Sequence, residues 1–311
     1  MALTEAQNFA AVRTELDDVF YQNFDYDARK PSMATARSAE LFKPIQISNA
    51  AYIQEIFAGS PLFSAVGEIA EIPQSQPKIA NKLTVYVVPF AEGVRVSKDY
   101  FDDNMHALWT NIVADFALKA RVSQDANAFK IFRGAFTTTL TADGQPLCGT
   151  HPLINGGTTV NTFTGASSAL SSSAINTLTT YLGEQPDQSG VILGASPEYL
   201  VVPQKLFYTA IQETQSALIA DNANNAVNVW RSVYGLTVLY SPYLGAAAGG
   251  SDTAWFLLTR NHRISRLIRQ GVQTALTDWT YSTNRTYFYQ ANFREEVFVA
   301  DYIGVAGSQG V

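Results

Sequence analysis

The sequence predicts an α+β fold, with α/β left open as the alternative, on three observations. Apolar residues recur at helical spacing in two long segments, short β-branched runs alternate with helices through the second half, and no repeat of fixed period is visible. At 311 residues the chain exceeds the roughly 100–200 of one ordinary domain, so one large unit or two intimately joined ones are expected.

Residues 4–22 carry Phe9, Val12, Leu16, Val19 and Phe20 at helical spacing, before the turn-rich Asp25–Asp27 and Lys30–Ser32. Two readings stand open: an arm, or a first helix packed on its own core. Between Gly67 and Val96 the pattern becomes strand-like: Glu68–Ile72, a break at Pro73–Pro77, then Lys82–Val88, with Pro89 interrupting. β-Branched and aromatic content makes this a long two-stranded ribbon at a sheet edge. A lone hairpin is marginal in water, so the ribbon is expected to lie on something else.

Ser97 is placed to cap the next helix, with Asp99 at its positive end. Phe101, Met105, Leu108, Ile112 and Phe116 keep helical spacing, sustained to Phe132 before Gly134. That predicts a rigid spine of up to roughly 35 residues and about 50 Å. A Ser/Thr-rich stretch, Thr158–Ser173, leads to a helix around Ala174–Leu182. Gly190–Gly194 and Tyr199–Val202 read as short buried strands, and Pro203 opens a helix through Leu206, Ala210 and Ile211. Gly235–Tyr240 and Trp255–Leu258 are two more strands, separated by Gly245–Gly250, a glycine-rich stretch expected to be a flexible tip. Trp279–Val299 alternates like a strand pair with one exposed face, and a small-residue tail ends the chain.

Charged residues make up 15% and hydrophobic residues 47%, against about 25% charged in an average soluble domain. The shortfall points to surface that packs on other chains, because charge is depleted at interface cores; a Ser/Thr/Asn-rich soluble surface is the alternative. A net charge of −6 and a pI of 5.1 exclude the basic footprint of a dedicated nucleic-acid module and leave at most weak contact with DNA. One cysteine, Cys148, permits no internal disulfide and fits a reducing compartment. No stretch approaches the ~18 apolar residues of a membrane span, and Met1–Ala6 lacks a signal-peptide pattern, so no membrane contact and synthesis in the cytosol are expected.

Cys148 and His151 are the nearest thing to a reactive pair. Two residues on a Pro/Gly loop satisfy neither a metal site, which needs three or four ligands, nor a cysteine nucleophile, which needs a base held by a third group. His106 on the spine and His262 beside the arginines read as structural or surface residues. There is no phosphate loop, dinucleotide fingerprint or zinc-protease helix, and Gly194–Glu198 lacks the second glycine of a nucleophile elbow. No cofactor or catalytic residue is therefore assigned. The basic cluster Arg260, Arg263, Arg266 and Arg269 is expected to pair with acidic residues across a subunit boundary in preference to DNA.

The segment Asp143-Gly-Gln-Pro-Leu-Cys-Gly-Thr-His-Pro-Leu153, with Asn161 closing the next turn, resembles a signature of tailed-phage major capsid proteins, in particular Mu-like major head subunits. Four further segments are similar in order and spacing: Tyr86–Lys98, Gly190–Leu200, Tyr234–Leu244 with Asp252–Leu258, and Phe293–Tyr302. Together they span about residues 60–305. The resemblance implies the Hong Kong 97-type shell fold. Its layout would be an arm and the start of a peripheral domain over 1–60, an extended hairpin (E-loop) over 61–96, and the peripheral domain with its spine over 97–165. An axial domain over 166–280 and return strands over 281–311 would complete it.

The implied function is self-assembly into pentamers and hexamers of an icosahedral head enclosing double-stranded DNA, in a virion built in the host cytoplasm. Implied partners are a scaffolding protein, a portal and a decoration protein, besides other copies of the chain. A spine beginning near residue 97 leaves room only for an arm and the E-loop, which favours a separate scaffolding protein. Some relatives weld subunits through an E-loop lysine and an asparagine; Lys78 and Lys82 lie in that region, but no partner asparagine or catalytic acid matches. Lys78, Lys82, Tyr86, Arg95, Arg260, Arg263 and Arg266 are the subunit-interface candidates. An encapsulin-like compartment shell is the alternative within the fold, and a soluble Cys/His hydrolase a remote one outside it.

Overall fold

The computed structural model describes residues 5–25, 41–68, 71–76, 78–99, 106–217 and 227–310. Helix α1 (Glu5–Asp25) buries Leu16 and Phe20. Phe20 packs on Phe116 and Tyr289 of the same chain, so the second reading of this segment, a helix on its own core, describes it.

Strand β1 (Lys43–Gln46) is followed by β2 (Ala51–Phe57), β3 (Ile79–Tyr86) and β4 (Val88–Ser97). The ribbon is β2 paired antiparallel with β3. The strand expected at Glu68–Ile72 does not form: its described residues have no regular structure, and the hairpin lies within 51–86 instead of 61–96. Burial decides the pairing, because β2 can seat Tyr52 and Ile56 against Phe298 and Leu267, whereas Glu68, Glu71 and Ile72 are exposed. Pro89 does not interrupt the strand. It stands inside β4, an edge strand, where a missing N–H is tolerated.

Helix α2 (His106–Ala128) breaks for one residue at Phe129 and resumes as α3 (Lys130–Arg133) before Gly134. Its 23 residues make a rod of about 35 Å. Ser97 ends β4, Lys98 and Asp99 are helical, and residues 100–105, with Phe101 and Met105, lie outside the described residues. The buried stripe is Trp109, Val113, Phe116 and Ala117, rotated from the expected one, with Ile112 only half-buried.

A small hairpin, β5 (Thr150–Pro152) with β6 (Thr158–Val160), precedes β7 (Thr162–Phe163). Helix α4 (Ser172–Glu184) is capped by Ser171, whose Oγ accepts from Ala174 N at 3.2 Å. Gly190–Gly194 is not a buried strand. Asp187 accepts from the amides of Ser189 and Val191, which curls the chain into a turn and leaves Ile192 and Leu193 exposed.

The second half continues with β8 (Pro197–Pro203), α5 (Phe207–Gln215) and β9 (Thr237–Ser241). After these come β10 (Trp255–Thr259), β11 (Ile264–Thr277), β12 (Thr286–Val299) and β13 (Val305–Ser308). The stretch after Gly245 is not a loose tip: Arg133 donates to Ala248 O at 3.0 Å, and a Cβ on Gly250 would lie 2.0 Å from Leu244 O. Nor is Trp279–Val299 a strand pair. It contributes one strand, β12, whose partner β11 holds Arg266 and Arg269 of the basic cluster.

Two sheets organise the chain. The first runs β1-β11-β12-β4, with α1 and α2 packed on its long strands; the second runs β7-β13-β10-β8-β9. Strand β10 is buried throughout, turning Phe256 and Leu258 into a core shared with α3 and Trp255 and Leu257 into a core shared with α4. A strand buried on both faces reads as a continuous apolar run, as Trp255–Leu258 does. The expected small-residue tail is the interior strand β13. Its residues are small because a Cβ on Gly307 would meet Cys148 Sγ at 2.6 Å.

Candidate assembly surfaces

Alternation along β2 and β3 divides the ribbon. One face rests on the first sheet, with Tyr52 5.7 Å from Phe298 between ring centres. The other presents Ile53, Phe57, Ile79 and Tyr86 to solvent. In the connection, Leu62 is 76% exposed, Phe63 107% and Ile72 75%. Lys82 pairs across the ribbon with Glu55 at 3.6 Å, and Lys78 is exposed where the connection closes through Ala58 N to Lys78 O at 2.9 Å. Three candidates, Lys78, Lys82 and Tyr86, thus share one projection. Arg95 stands apart on β4 with its guanidinium 5.2 Å above the Phe288 ring.

The basic cluster separates. Residues three apart share a helix face but point oppositely on a strand, and this segment is a turn followed by β11. Arg260 and Arg263 are exposed in the turn and, with Lys43, line a cleft of about 620 Å³ floored by Leu41, Phe42, Ile56 and Phe298. His262 lies between them, its pKa lowered by burial against the smaller opposing pull of the Leu41 backbone and Glu198. Arg266 is not a surface residue: it is buried and grips Glu295 of its own chain through Nε at 3.0 Å and through Nη2. Gln124 of α2 donates to the same carboxylate oxygen at 3.3 Å. Burial raises the Glu295 pKa, and Arg266 pulls it back.

The signature segment forms a bolt between the sheets. His151 is fully buried, with Nδ1–H donating to Asp143 Oδ2 at 2.7 Å and its ring stacked on Tyr302 at 4.3 Å. Burial works to raise the Asp143 pKa, but hydrogen bonds from His151, Thr141 and the Gln145 amide outweigh it and hold the carboxyl below its ordinary range. Tyr302 donates to Pro186 O at 3.1 Å, and Gln185 bridges Tyr302 O and Gly304 N at 3.1 and 2.8 Å. Asn161 accepts from Gly149 N and donates to Leu147 O and Val305 O, all within 3.0 Å.

Cys148 is buried, which pushes its thiol far above the usual range and removes the thiolate a nucleophile needs. Among the described residues no three His, Cys, Asp or Glu side chains are grouped to hold a metal, and no helix is long and apolar enough to cross a membrane. Sequence reasoning located the segment but missed the roles of Asn161, Gln185 and Tyr302, whose hydrogen-bond partners named here lie 12 to 144 positions away. The second sheet adds an exposed group it did not single out: Tyr208, Val227, Val229 and Val233.

A long ribbon on a helix-backed sheet, joined to a second sheet flanked by short helices, defines a shell-subunit architecture. A structure from Microbacterium phage Oxtober96 superposes with a TM-score of 0.57 at 12% identity, over 92% of this chain and 94% of the other. The procapsid of bacteriophage JBD30 gives 0.54 at 14%, over 99% and 76%, and the virus-like particle from Pyrococcus furiosus 0.55 at 8%, over 97% and 99%. The curated proteins contain no match. The sequence profile of the phage capsid protein family matches residues 81–306, and the chain belongs to that family. It is a structural capsid protein with the Hong Kong 97-type fold.

Proposed function

We propose that the chain is the major head subunit, Mu-like on its signature segment, that assembles as hexamers and pentamers into an icosahedral shell around double-stranded DNA. The observation that carries this reading is the ribbon, whose outer face and connection expose Ile53, Phe57, Leu62, Phe63, Ile72, Ile79 and Tyr86 among the described residues. Contiguous exposed apolar surface marks an interaction site, and in a shell the partner is another copy. Lys78, Lys82 and Tyr86 stand on this projection, Arg95 stands apart from it on β4, and Arg260 and Arg263 supply a basic surface. Each contact is modest, since an interface of ~1,600 Å² can be weak. A subunit held by several neighbours is nevertheless retained by effective concentration.

The role is structural and not enzymatic, in keeping with the burial of Cys148 and His151. A separate scaffolding protein, a portal and a decoration protein are the further partners. Contact with packaged DNA is weak and non-specific for a chain of net charge −6. Assembly in the host cytoplasm is compatible with a single free cysteine. Likeness to the Pyrococcus particle favours a second reading, a compartment shell enclosing protein; nucleic acid or protein inside purified particles decides between them.

The test is to replace residues 60–76 with a short Gly/Ser linker, keeping β2 and β3. The variant is expected to melt like the parent yet give no particles by negative-stain microscopy. Normal shells from it would refute the role given to the ribbon.

A further inference from the structure

At the root of the exposed connection three loops from distant parts of the chain meet. They are Ala58–Gly59 at the end of β2, Leu153–Gly157 between β5 and β6, and the turn Asp187–Gly190 after α4. Ser189 Oγ donates to Ala58 O at 2.7 Å. Gly59 has φ +97°, and a Cβ there would lie 2.1 Å from Asp187 Oδ2, so only glycine fits. The carboxylate facing it is fixed, because Asp187 Oδ1 accepts from Ser189 N and Val191 N at 2.9 Å each. On the other side of the turn, Gly190 has φ +88° and would place a Cβ 2.4 Å from Asn155 Nδ2. Asn155 donates to Ser189 O at 3.3 Å, and Ile154 N donates to Gln188 O at 3.2 Å.

This turn is carried by the second sheet, since Tyr302 holds Pro186 O and Gln185 holds Gly304 N. The residues just beyond Gly59, from Ser60 to Phe63, are exposed. The direction in which the connection leaves β2 is therefore set by that turn, through the Ser189 hydroxyl on Ala58 O and the Asp187 carboxylate packed against Gly59.

We infer that this knot is a coupling joint: rotation of the five-stranded unit against the ribbon re-aims the Leu62–Phe63 tip, and re-aiming the tip strains the turn. Gly59 and Gly190 permit the coupling by admitting these close approaches at positive φ. Its consequence for shells, where one sequence meets differently angled neighbours, rests on the proposed function. The joint itself does not.

Hydrogen exchange on the full-length soluble chain tests it. The reporters are the amides of Ala58, bonded to Lys78 O, Ile154, bonded to Gln188 O, and Val191, bonded to Asp187; those of β10 are the control. Ser189→Ala removes one hydroxyl and is expected to speed exchange roughly fivefold at Ala58 and Ile154, as losing one hydrogen bond predicts. Gly59→Ala is expected to act at Ile154 and Val191, and the double variant to fall short of the sum, with β10 unchanged. Changes confined to the mutated loop in each single variant would overturn the joint; if Gly59→Ala fails to fold, Ser189→Ala alone decides by the same criterion. Parent subunits that exchange in this coupled way but never form particles would sink the shell reading and leave the joint standing.

Discussion

The Asp143–His151 pair shows how a residue type that suggests chemistry serves packing. Both side chains are withdrawn from water and tied to each other, and the ring is clamped on Tyr302. Asp143→Asn should cost about 1–3 kcal/mol, the range for a buried hydrogen bond to a charged group, measured by chemical denaturation. The sign with pH follows from the depressed folded pKa. The unfolded carboxyl takes up its proton near pH ~4 and the folded one only lower, so the contribution is complete above about pH 4 and lost as pH falls through the folded value. The stability gap between parent and Asp143→Asn should shrink on acidification, and a gap that stays constant would contradict the assignment. Arg266→Ala, which strands the buried Glu295 carboxylate, should cost more, about 3–5 kcal/mol. Cys148 should resist thiol reagents in the native protein and react fully once unfolded; native labelling at an ordinary rate would show that its burial is wrong.

At the scale of elements, periodicity was readable wherever one face of an element is wet. Leu16 and Phe20 in α1 and the alternation along β12 could be read because local spacing and local burial coincide. Elements built of small residues, with neither an amphipathic pattern nor a continuous run of large apolar side chains, could not. Strand β13 looks like a tail because its small residues carry no amphipathic signal; they are small to let Cys148 and Phe256 approach. Truncation after Tyr302 should therefore strip β10 of a partner and leave an insoluble or non-cooperatively melting chain. A soluble truncated protein with the parent's melting curve would contradict an interior β13. The glycine-rich stretch at 245–250 misled for a related reason: a glycine present for close approach to Leu244 is indistinguishable in sequence from one present for freedom.

On the scale of the whole molecule, two cores meet across β10, and the one that holds Phe256 and Leu258 also takes in Ile264, Val297 and Val299 of the first sheet, which ties the two sheets together. The ribbon is the part this packing leaves uncovered on its outer face. Basic and apolar surfaces then predict different sensitivities. If the Arg260–Arg263 cleft pairs with acidic residues of another copy, particles should loosen as salt rises over a range that shortens the Debye length from about 10 Å to 3 Å. Arg260→Glu with Arg263→Glu should abolish that dependence; shells indifferent to salt would remove the cleft from the interface.

The candidate site was legible in part. Lys78, Lys82 and Tyr86 were placed on a projection because a β-rich run beside prolines reads as an edge ribbon, and the structure puts them on one. Arg266, grouped with its neighbouring arginines as a boundary residue, instead pairs with Glu295 of its own chain, a partner 29 positions away that the local cluster does not reveal. By itself the sequence determined the mixed fold class, the spine, the buried apolar strands and, through the signature segment, the kind of shell to which the chain belongs. Only the tertiary structure decided which strand pairs with β3, which arginines are exposed and what His151 touches. Those outcomes depend on burial between residues far apart in the chain, and local spacing carries no record of such contacts.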